Sequence, residues 1–488
     1  MTGWLRSVWA RGRAGALLGP ILTLTSGALV AQAAAYAARP VLTRLFEPEA
    51  FGYLAFYLAA AGIVSEAMTG RFEAAAMLPD RDRDARHLLS AAGWATLAVA
   101  GLALPVALAP GGVAGWIGRP EIAPLLPLAL VAALGAAGAR VADAWLVRRE
   151  RFAATSLGRV VASAVAAPVQ LAAGVLGLGP LGLVWGSLAG RLSATAVVGV
   201  AAARTPARQA DDEAAPDVPS TRDLVRRYRR FPLLAMPSGV LNTLSAQLPS
   251  FVLLAVFGGA VAGYFGVAYG TVALPMQLVG GAVAQVLFVR AAEARRAGTL
   301  AALAGRVTRH LAFVGTFPLA ALVVVGPEAF AVVFGEPWRE AGVYARMLSP
   351  WLLLVFVGSP LSVLFDVLEE QGAELRANVV LGLARVAALA GGGALGGARG
   401  AVLAFGAVGV AGWAWQTGWL LRRADAPGVL ARAFVRPLAL AAPPLAVVGA
   451  AQAAGVRGLA LLALVLGTGA IYTALVLRHL RTDRSPDA

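Results

Sequence analysis

The 488-residue sequence contains no cysteine, and all 41 of its lysine-plus-arginine residues are arginines. The absence of cysteine excludes disulfides and thiolate metal sites. The three histidines, His87, His310 and His479, lie far apart at the edges of polar segments and predict no shared metal site. We therefore expect neither a metal nor a cofactor.

Charged residues are also scarce, at 14% of the chain against 59% hydrophobic residues, with a mean hydropathy of +0.74. That much apolar surface exceeds what a soluble core can bury, so the membrane is the expected solvent. A net charge of +15 would favour nucleic acid in a soluble protein. Here the arginines lie between apolar segments, where membrane orientation and anionic lipid headgroups explain them. We expect membrane lipids as partners and no nucleic acid.

Apolar segments recur along the chain at a length that crosses a bilayer. A helix needs about 20 apolar residues to span the hydrocarbon core. The pattern predicts an all-α integral membrane protein with about 14 transmembrane helices. The predicted spans are Gly15–Ala38, Ala50–Gly70, Leu88–Ala109, Ile122–Val147, Val160–Leu176, Leu181–Ala203, Phe231–Phe257, Ala262–Phe288, Leu311–Gly326, Ala345–Leu368, Asn378–Leu395, Gly400–Leu421, Pro437–Ala454 and Gly458–Leu477.

The loops between these spans differ in charge on alternate sides. One set, which includes both termini and the long loop 204–230, holds about 31 arginines, and the other set holds about six. By the positive-inside rule, both termini are predicted to be cytoplasmic. In a bacterial cell, the expected location is the inner membrane.

The long polar loop divides the spans into groups of six and eight. We predict an N-terminal lobe at 1–203, a cytoplasmic linker at 204–230, a C-terminal lobe at 231–421, and two further helices with a tail at 422–488. The segment Val41–Tyr53 recurs weakly as Val252–Tyr264 at a constant offset. Such a parallel repeat is typical of two-lobed transporters with a central cavity between the lobes.

Charged residues inside or at the ends of spans are the first candidates for a transport site. An Arg or Asp at a helix centre costs about 2.5–3.5 kcal/mol, so such a group should face the bundle interior or water. Arg140 and Asp143 lie three residues apart on one predicted helix and are expected to pair with each other. The candidates are Glu66, Arg140, Asp143, Arg191, Arg346, Asp366 and Arg385, with Arg44, Arg71, Glu73 and Arg290 at helix ends.

Different members of this set suit different ligands. Arg44, Arg71, Glu73, Arg191 and Arg290 are candidates for a charged substrate group, because a guanidinium binds phosphate well. Glu66 and Asp366 are candidates for coupling to a cation. Among the neutral amides, Gln247 and Gln285 are candidates for sugar hydroxyls, with interhelical hydrogen bonding as the alternative.

Four passages resemble bacterial oligosaccharide flippases, the polysaccharide biosynthesis branch of the multidrug/oligosaccharidyl-lipid/polysaccharide exporter superfamily. The resemblance depends on their order and spacing, and it covers the chain as far as Leu421. The passages are Ala38–Phe46 with Pro48–Gly52, Arg71–Pro79, Tyr228–Pro232 with Gly263–Phe265 and Gln285–Phe288, and Gly326–Glu328 with Phe334–Trp338 and Ala341–Gly342. Because the chain has no lysine, any phosphate contact that a relative makes through lysine must fall to arginine.

This resemblance implies translocation of a lipid-linked oligosaccharide, usually on undecaprenyl diphosphate, by alternating access. It also implies polysaccharide polymerases and glycosyltransferases as possible partners. A cation-coupled drug exporter of the same superfamily is an alternative. A membrane glycosyltransferase is a second alternative, although the predicted outer loops of this chain offer only four possible catalytic groups, Glu121, Glu328, Glu336 and Glu340. The segment Asp80–Arg83 faintly resembles a major-facilitator loop. No phosphate-binding, HExxH or GxSxG signature is present, so we predict a transport protein and not an enzyme.

Overall fold

The computed structural model describes Gln32 and residues 36–207 and 220–482. The described backbone is helical, without a strand, and 12 of its helical segments are long and apolar enough to cross a membrane. This confirms the predicted all-α membrane fold. The first predicted span, Gly15–Ala38, lies largely outside the described residues.

The first part of the chain contains ten helices in the described residues, and six of them have spanning length. The short helix α9 begins with Ser220 as its N-cap, in a capping box with Asp223. The helices are α1 (36–45), α2 (Pro48–Met68), α3 (Phe72–Ala75), α4 (Asp82–Leu108), α5 (Pro110–Ile117), α6 (Leu125–Arg148), α7 (Phe152–Val175), α8 (Pro180–Ala203), α9 (Thr221–Arg227) and α10 (Met236–Phe257). A π-helical turn, Phe231–Ala235, runs into α10 and completes the sixth span.

The second part of the chain is built from longer helices. They are α11 (Gly259–Arg296), α12 (Leu300–Phe334), α13 (Arg339–Gly358), α14 (Val363–Val367), α15 (Gln371–Arg423), α16 (Val429–Ala453) and α17 (Gly458–Thr482). The predicted span Leu311–Gly326 was too short, because α12 is 35 residues long. The predicted spans leave a loop between Phe288 and Leu311, but α11 and α12 extend through most of residues 290–309. Arginine and alanine, which are frequent there, are strong helix formers.

Helix α15 is a hairpin of two spans. Its 53 residues would extend for about 80 Å as one straight helix, far more than the membrane thickness. Gly396 and Gly397 have non-helical backbone angles, and Gly397 has a φ of 61°. The backbones of Gly392 and Gly400 lie so close that neither position has room for a Cβ. The chain therefore reverses here, as the predicted division between Leu395 and Gly400 requires.

Contacts divide the chain into two compact units, one ending at Gly259 and the other beginning at Ala260. Helix α10 packs on α2 and belongs to the first unit, although the sequence assigned 231–257 to a C-terminal lobe. Contacts describe the packing of one conformation, so the lobes at 1–203 and 231–421, with a linker at 204–230, stay a prediction. The last helices, α16 and α17, pack on α12 in the second unit, where Phe317 and Tyr472 stack 5.1 Å apart.

Both copies of the predicted repeat lie where one helix ends and the next begins. Phe46 follows α1 directly before α2, and Phe257 ends α10 directly before α11. Leu42 and Leu253, at equivalent positions of the repeat, are both buried. The two segments thus have a similar local structure, each at a junction between two helices.

Glycines bring two helices of the first unit into close contact. Gly182, Gly186 and Gly190 share one face of α8, and an added Cβ at any of them would collide with α7. At Gly190 the obstacle is the carbonyl oxygen of Ala162. Because small residues allow backbones to approach closely in lipid, this face forms a close packing seam between α7 and α8.

Candidate functional site

A left-handed turn at the end of α2 positions the first charged groups. Gly70 and Arg71 both have positive φ angles, 58° and 61°. Glycine adopts this conformation readily, but at an arginine it costs about 1–2 kcal/mol. The turn directs the Arg71 side chain back to Glu66 in the last turn of α2. Strained residues of this kind concentrate at functional sites.

Glu66 is shared by two arginines from different parts of the first unit. Its Oε1 pairs with Nη2 of Arg71, and its Oε2 lies 3.5 Å from Nη1 of Arg140 on α6. The Glu66 side chain is 17% exposed. Glu73 on α3 lies within electrostatic range of Arg140, and one of its carboxylate oxygens is buried without a hydrogen bond.

Arg191 reaches the same region from the middle of α8. About 17 Å of helix separates it from each end of α8, too far for a simple route to water. It lies within electrostatic range of Arg140 and of Tyr57, a fully buried residue of α2. No described carboxylate lies within ion-pair distance of Arg191. We call Glu66, Arg71, Glu73, Arg140 and Arg191 the N-terminal charge cluster.

The N-terminal charge cluster has more hydrogen-bond donors than acceptors. The Nε atoms of Arg71, Arg140 and Arg191 are buried without a hydrogen-bond partner, and so is Nη2 of Arg140. A buried hydrogen-bond donor that is left without an acceptor costs about 1–3 kcal/mol, and more when it belongs to a charged group. Three guanidinium groups and two carboxylates leave a formal excess of one positive charge. The arrangement is suited to an anion with several acceptor oxygens.

Two residues of α10 lie against the cluster from one side. A Cβ at Gly239 would be 2.6 Å from both Nη2 of Arg71 and Oε1 of Glu66, so only glycine leaves room for this ion pair. Further along α10, the amide nitrogen of Gln247 lies 3.9 Å from the place of a Cβ on Gly62. Gly62 is one helical turn from Glu66, which places a neutral donor next to the charges.

Other predicted site residues lie elsewhere. Arg44 is exposed beyond the opposite end of α2, which rises about 27 Å from Pro48 to Glu66. Its Nη1 donates to the carbonyl of Pro40 at 2.8 Å. The structure thus separates Arg44 from Arg71.

Gln285, Arg290 and Asp366 belong to the second unit. Gln285 and Asp366 are exposed, and Asp366 lines a cavity of about 500 Å³ with Arg295 and Arg296. Arg290 is 60% exposed and pairs with Glu293, three residues along α11, at 3.6 Å. No bonding or burial distinguishes Gln285 and Arg290 as site residues, so their roles in substrate binding stay predictions.

The expected pair of Arg140 with Asp143 was wrong. Arg140 pairs with Glu66 across two helices, while Asp143 lies near Thr155 and Arg159 of α7. Residues three apart on a helix can reach each other, but in lipid the side chains also meet partners on neighbouring helices.

Sequence reasoning missed the role of Gly239, because a single glycine in a helix has no pattern of its own.

Arg385, another charged candidate from the sequence, lies over aromatic rings in the second unit. Its guanidinium carbon lies 5.2 Å from the ring of Trp351 and 5.8 Å from that of Phe405, at distances typical of cation–π contacts.

The fold is that of multi-helix membrane transporters. It is similar to the structure titled "Lipid II flippase MurJ, inward closed conformation", with a TM-score of 0.69, 12% identity, and coverage of 95% of this chain and 99% of that one. It also resembles an inward-facing multidrug resistance MATE family transporter of the MOP superfamily, with a TM-score of 0.51, 14% identity, and coverage of 83% and 96%.

The sequence profile of the family described as "Polysaccharide biosynthesis protein" matches residues 41–342. The chain belongs to this family, which confirms the resemblance found in its motifs.

Two curated relatives are each 28% identical to this chain. The succinoglycan biosynthesis transport protein ExoT of Rhizobium meliloti (strain 1021) aligns over 308 residues, which is 62% of this chain and 59% of that protein. The lipopolysaccharide biosynthesis protein WzxC of Escherichia coli (strain K12) aligns over 179 residues, 36% of each chain. The alignments thus cover less than two thirds of these relatives. The name of ExoT, a transport protein, agrees with the prediction of a transport protein and not an enzyme.

Proposed function

We propose that this protein flips a lipid-linked oligosaccharide, with a polyprenyl-diphosphate anchor, across the bacterial inner membrane by alternating access. Both termini would lie in the cytoplasm, as the distribution of arginines predicts. The observation that carries the proposal is the set of buried, unbonded guanidinium donors in the N-terminal charge cluster.

A diphosphate fits the chemistry of these donors. It brings negative charge and several acceptor oxygens, and hydrogen bonds from guanidinium groups to phosphate are about twice as strong as neutral ones. Arg140 and Arg191 have free donors at sites where lipid supplies no acceptors. Glu66 pairs with both Arg71 and Arg140 and so holds their guanidinium groups in place. In this role Glu66 organises the arginines and does not itself contact the substrate.

The sugar part of the substrate needs neutral hydrogen-bonding groups. Gln247 is half-buried and lies close to α2, one turn from Glu66. Its amide can donate to and accept from sugar hydroxyls. The family membership and the names of ExoT and WzxC support a saccharide as cargo.

Arg191 provides the decisive experiment, because no described acid pairs with it. Arg191→Met keeps most of the side-chain volume and removes the charge. We expect normal expression and an unchanged melting temperature, with binding of a lipid-diphosphate saccharide reduced about 10- to 100-fold, as for the loss of a charged hydrogen bond. Translocation in a complementation assay should be lost.

Arg159→Gln is a matched control, since it removes one positive charge from an exposed position of the same unit. It should leave binding unchanged. A lower melting temperature with normal binding in Arg191→Met would assign Arg191 to the scaffold. Equal loss of binding in both variants would show that the effect of Arg191→Met comes from net charge alone. Either of these two outcomes would contradict the proposed site.

A further inference from the structure

An apolar groove opens on the side of the first unit between α4, α6 and α8. It has a volume of about 660 Å³, and its lining includes Leu89 and Leu97 on α4 and Leu134 on α6. Thr96 in the lining donates its hydroxyl to the carbonyl of Ala92 at 2.8 Å, so it offers no free donor. From Leu89 to Leu97 the helix rises about 12 Å, close to the roughly 15 Å depth of hydrocarbon in one leaflet. The groove therefore matches a lipid acyl chain in length and polarity.

One end of the groove is closed by Trp145, near the end of α6 that precedes an arginine-rich tract. The indole is buried, and its N–H donates to the carbonyl of Thr205 at 2.9 Å, which fixes the ring. Two guanidinium groups lie over this ring: the carbon of Arg86 is 5.3 Å from its centre and that of Arg149 is 6.0 Å away. A tryptophan with arginines is typical of the membrane–water interface.

The two arginines over Trp145 differ in their bonding. Arg149 donates to Asp82 at 3.0 Å, and Asp82 also binds Arg148 at 2.8 Å, so Arg149 is held by the protein. Arg86 is exposed and forms no ion pair with a described residue. Its position over the indole therefore leaves a positive charge at the mouth of the groove that the protein itself does not neutralise.

We propose that the groove is a specific site for an anionic phospholipid of the arginine-rich, predicted cytoplasmic side. One acyl chain lies along α4 between α6 and α8, and the phosphate contacts Arg86. Basic sites between transmembrane helices on the cytoplasmic side recognise anionic headgroups through this combination of charge and apolar surface. The site is separate from the proposed transport function and does not depend on it.

The floor of the groove allows the acyl chain to be tested separately. Gly93 and Gly199 line the groove, and no atom lies within 4 Å of a Cβ built on either. Gly93→Leu or Gly199→Leu should fill the groove without displacing the protein. Gly101→Leu is the matched control, because Gly101 has the same open surroundings on α4 outside the groove.

The headgroup is tested by Arg86→Gln, with Arg83→Gln as control at another exposed position near the start of α4. Native mass spectrometry would measure bound phosphatidylglycerol. Thermal unfolding would compare the stabilisation by phosphatidylglycerol with that by phosphatidylcholine carrying the same acyl chains. We expect the wild type to retain and be stabilised by phosphatidylglycerol. Arg86→Gln should weaken retention about fivefold, the equivalent of about 1 kcal/mol for one basic residue at an anionic surface. Gly93→Leu should weaken it at least as much, while both controls should match the wild type.

Several outcomes would overturn the proposal. Equal stabilisation by both phospholipids in the wild type would remove the headgroup preference. Equal losses in Arg86→Gln and Arg83→Gln, or in Gly93→Leu and Gly101→Leu, would indicate general charge or surface effects. Displacement of phosphatidylglycerol by undecaprenyl phosphate at lower concentration would assign the groove to an isoprenoid chain instead.

Discussion

The N-terminal charge cluster differs sharply from a second group of charges at the junction of α12 and α13, which we call the α12–α13 ion-pair network. In that network Glu328 is buried, accepts from Arg339 at 2.7 Å, and accepts from the backbone N–H of Gly458 at 3.0 Å. Arg339 also donates twice to Glu336, at 2.6 and 3.1 Å. Every nitrogen of the Arg339 guanidinium therefore has an acceptor.

The comparison separates structural charges from charges that have capacity for a ligand. In the α12–α13 ion-pair network, each guanidinium nitrogen of Arg339 has an acceptor, and the bonds join α12 and α13 to the start of α17. In the N-terminal charge cluster, Arg71, Arg140 and Arg191 keep buried donors without partners. Because an unbonded buried donor is costly, its presence in three neighbouring arginines supports the proposed anion-binding role over a purely structural one.

The largest effect is expected at Arg140. Arg140→Met should reduce translocation and binding of a lipid-diphosphate saccharide about 10- to 100-fold, since it removes two unbonded donors. Glu66 keeps its pair with Arg71, so the melting temperature should change little. Arg159→Gln is again the control, because it removes one positive charge from an exposed position of the same unit. Complementation and binding would be measured at matched protein levels. An equal loss in both variants would show that unbonded donors do not mark the site.

The opposite pattern is expected at Glu328. Glu328→Ala removes acceptors from Arg339 and from the N–H of Gly458, and should lower the free energy of unfolding by about 2–3 kcal/mol. Substrate binding by the folded protein should stay normal. Glu336→Ala, at an exposed partner of the same arginine, should cost much less than Glu328→Ala, because an exposed ion pair contributes little to stability. Thermal unfolding in detergent would measure both. Lost binding in a stable Glu328→Ala variant would contradict the structural role.

An intermediate effect is expected at Gly239, which links backbone packing to the N-terminal charge cluster. In Gly239→Ala the new Cβ would displace the ends of Arg71 and Glu66. These side chains can move, so the protein should fold normally. Binding should fall about three- to tenfold, because a distorted ion pair forfeits about 1 kcal/mol. Gly101→Ala, which meets no atom within 4 Å, is the control. Unchanged binding in Gly239→Ala would show that the pair does not need its present geometry.

The smallest effect concerns Asp223, an exposed group in the capping box of α9. Hydrogen bonds from the hydroxyl and backbone N–H of Ser220 lower the pKa of Asp223 below its ordinary value. The resulting stabilisation of α9 is present above the ordinary pKa of about 4 and is lost as the pH falls through the lower folded-state pKa. Hydrogen exchange of the Leu224 amide, corrected for intrinsic rates, should therefore accelerate at acidic pH. Asp223→Asn should remove this dependence, and the same pH profile in that variant would assign it to another group.

Much of the fold could be predicted because the bilayer constrains it strongly. In lipid a backbone must satisfy its own hydrogen bonds, so apolar length alone predicts helices such as α8 and the pair in α15. The ends of helices were harder, as the extension of α11 and α12 through the arginines near Arg295 demonstrates. Arginine has a high helix propensity, and outside the hydrocarbon nothing stops such a helix.

Within the site, the sequence by itself determined which residues carry unusual charge in the membrane, including Glu66, Arg140 and Arg191, because the cost of insertion depends on residue type and depth. Only the tertiary structure decided that Arg140 pairs with Glu66 and not with Asp143. It also decided that Gly239 leaves room for the pair of Glu66 with Arg71 and that donors of three arginines remain unbonded. Pairing and burial depend on which helix faces pack together, and neighbouring helices in lipid are selected by side-chain fit between residues far apart in the sequence.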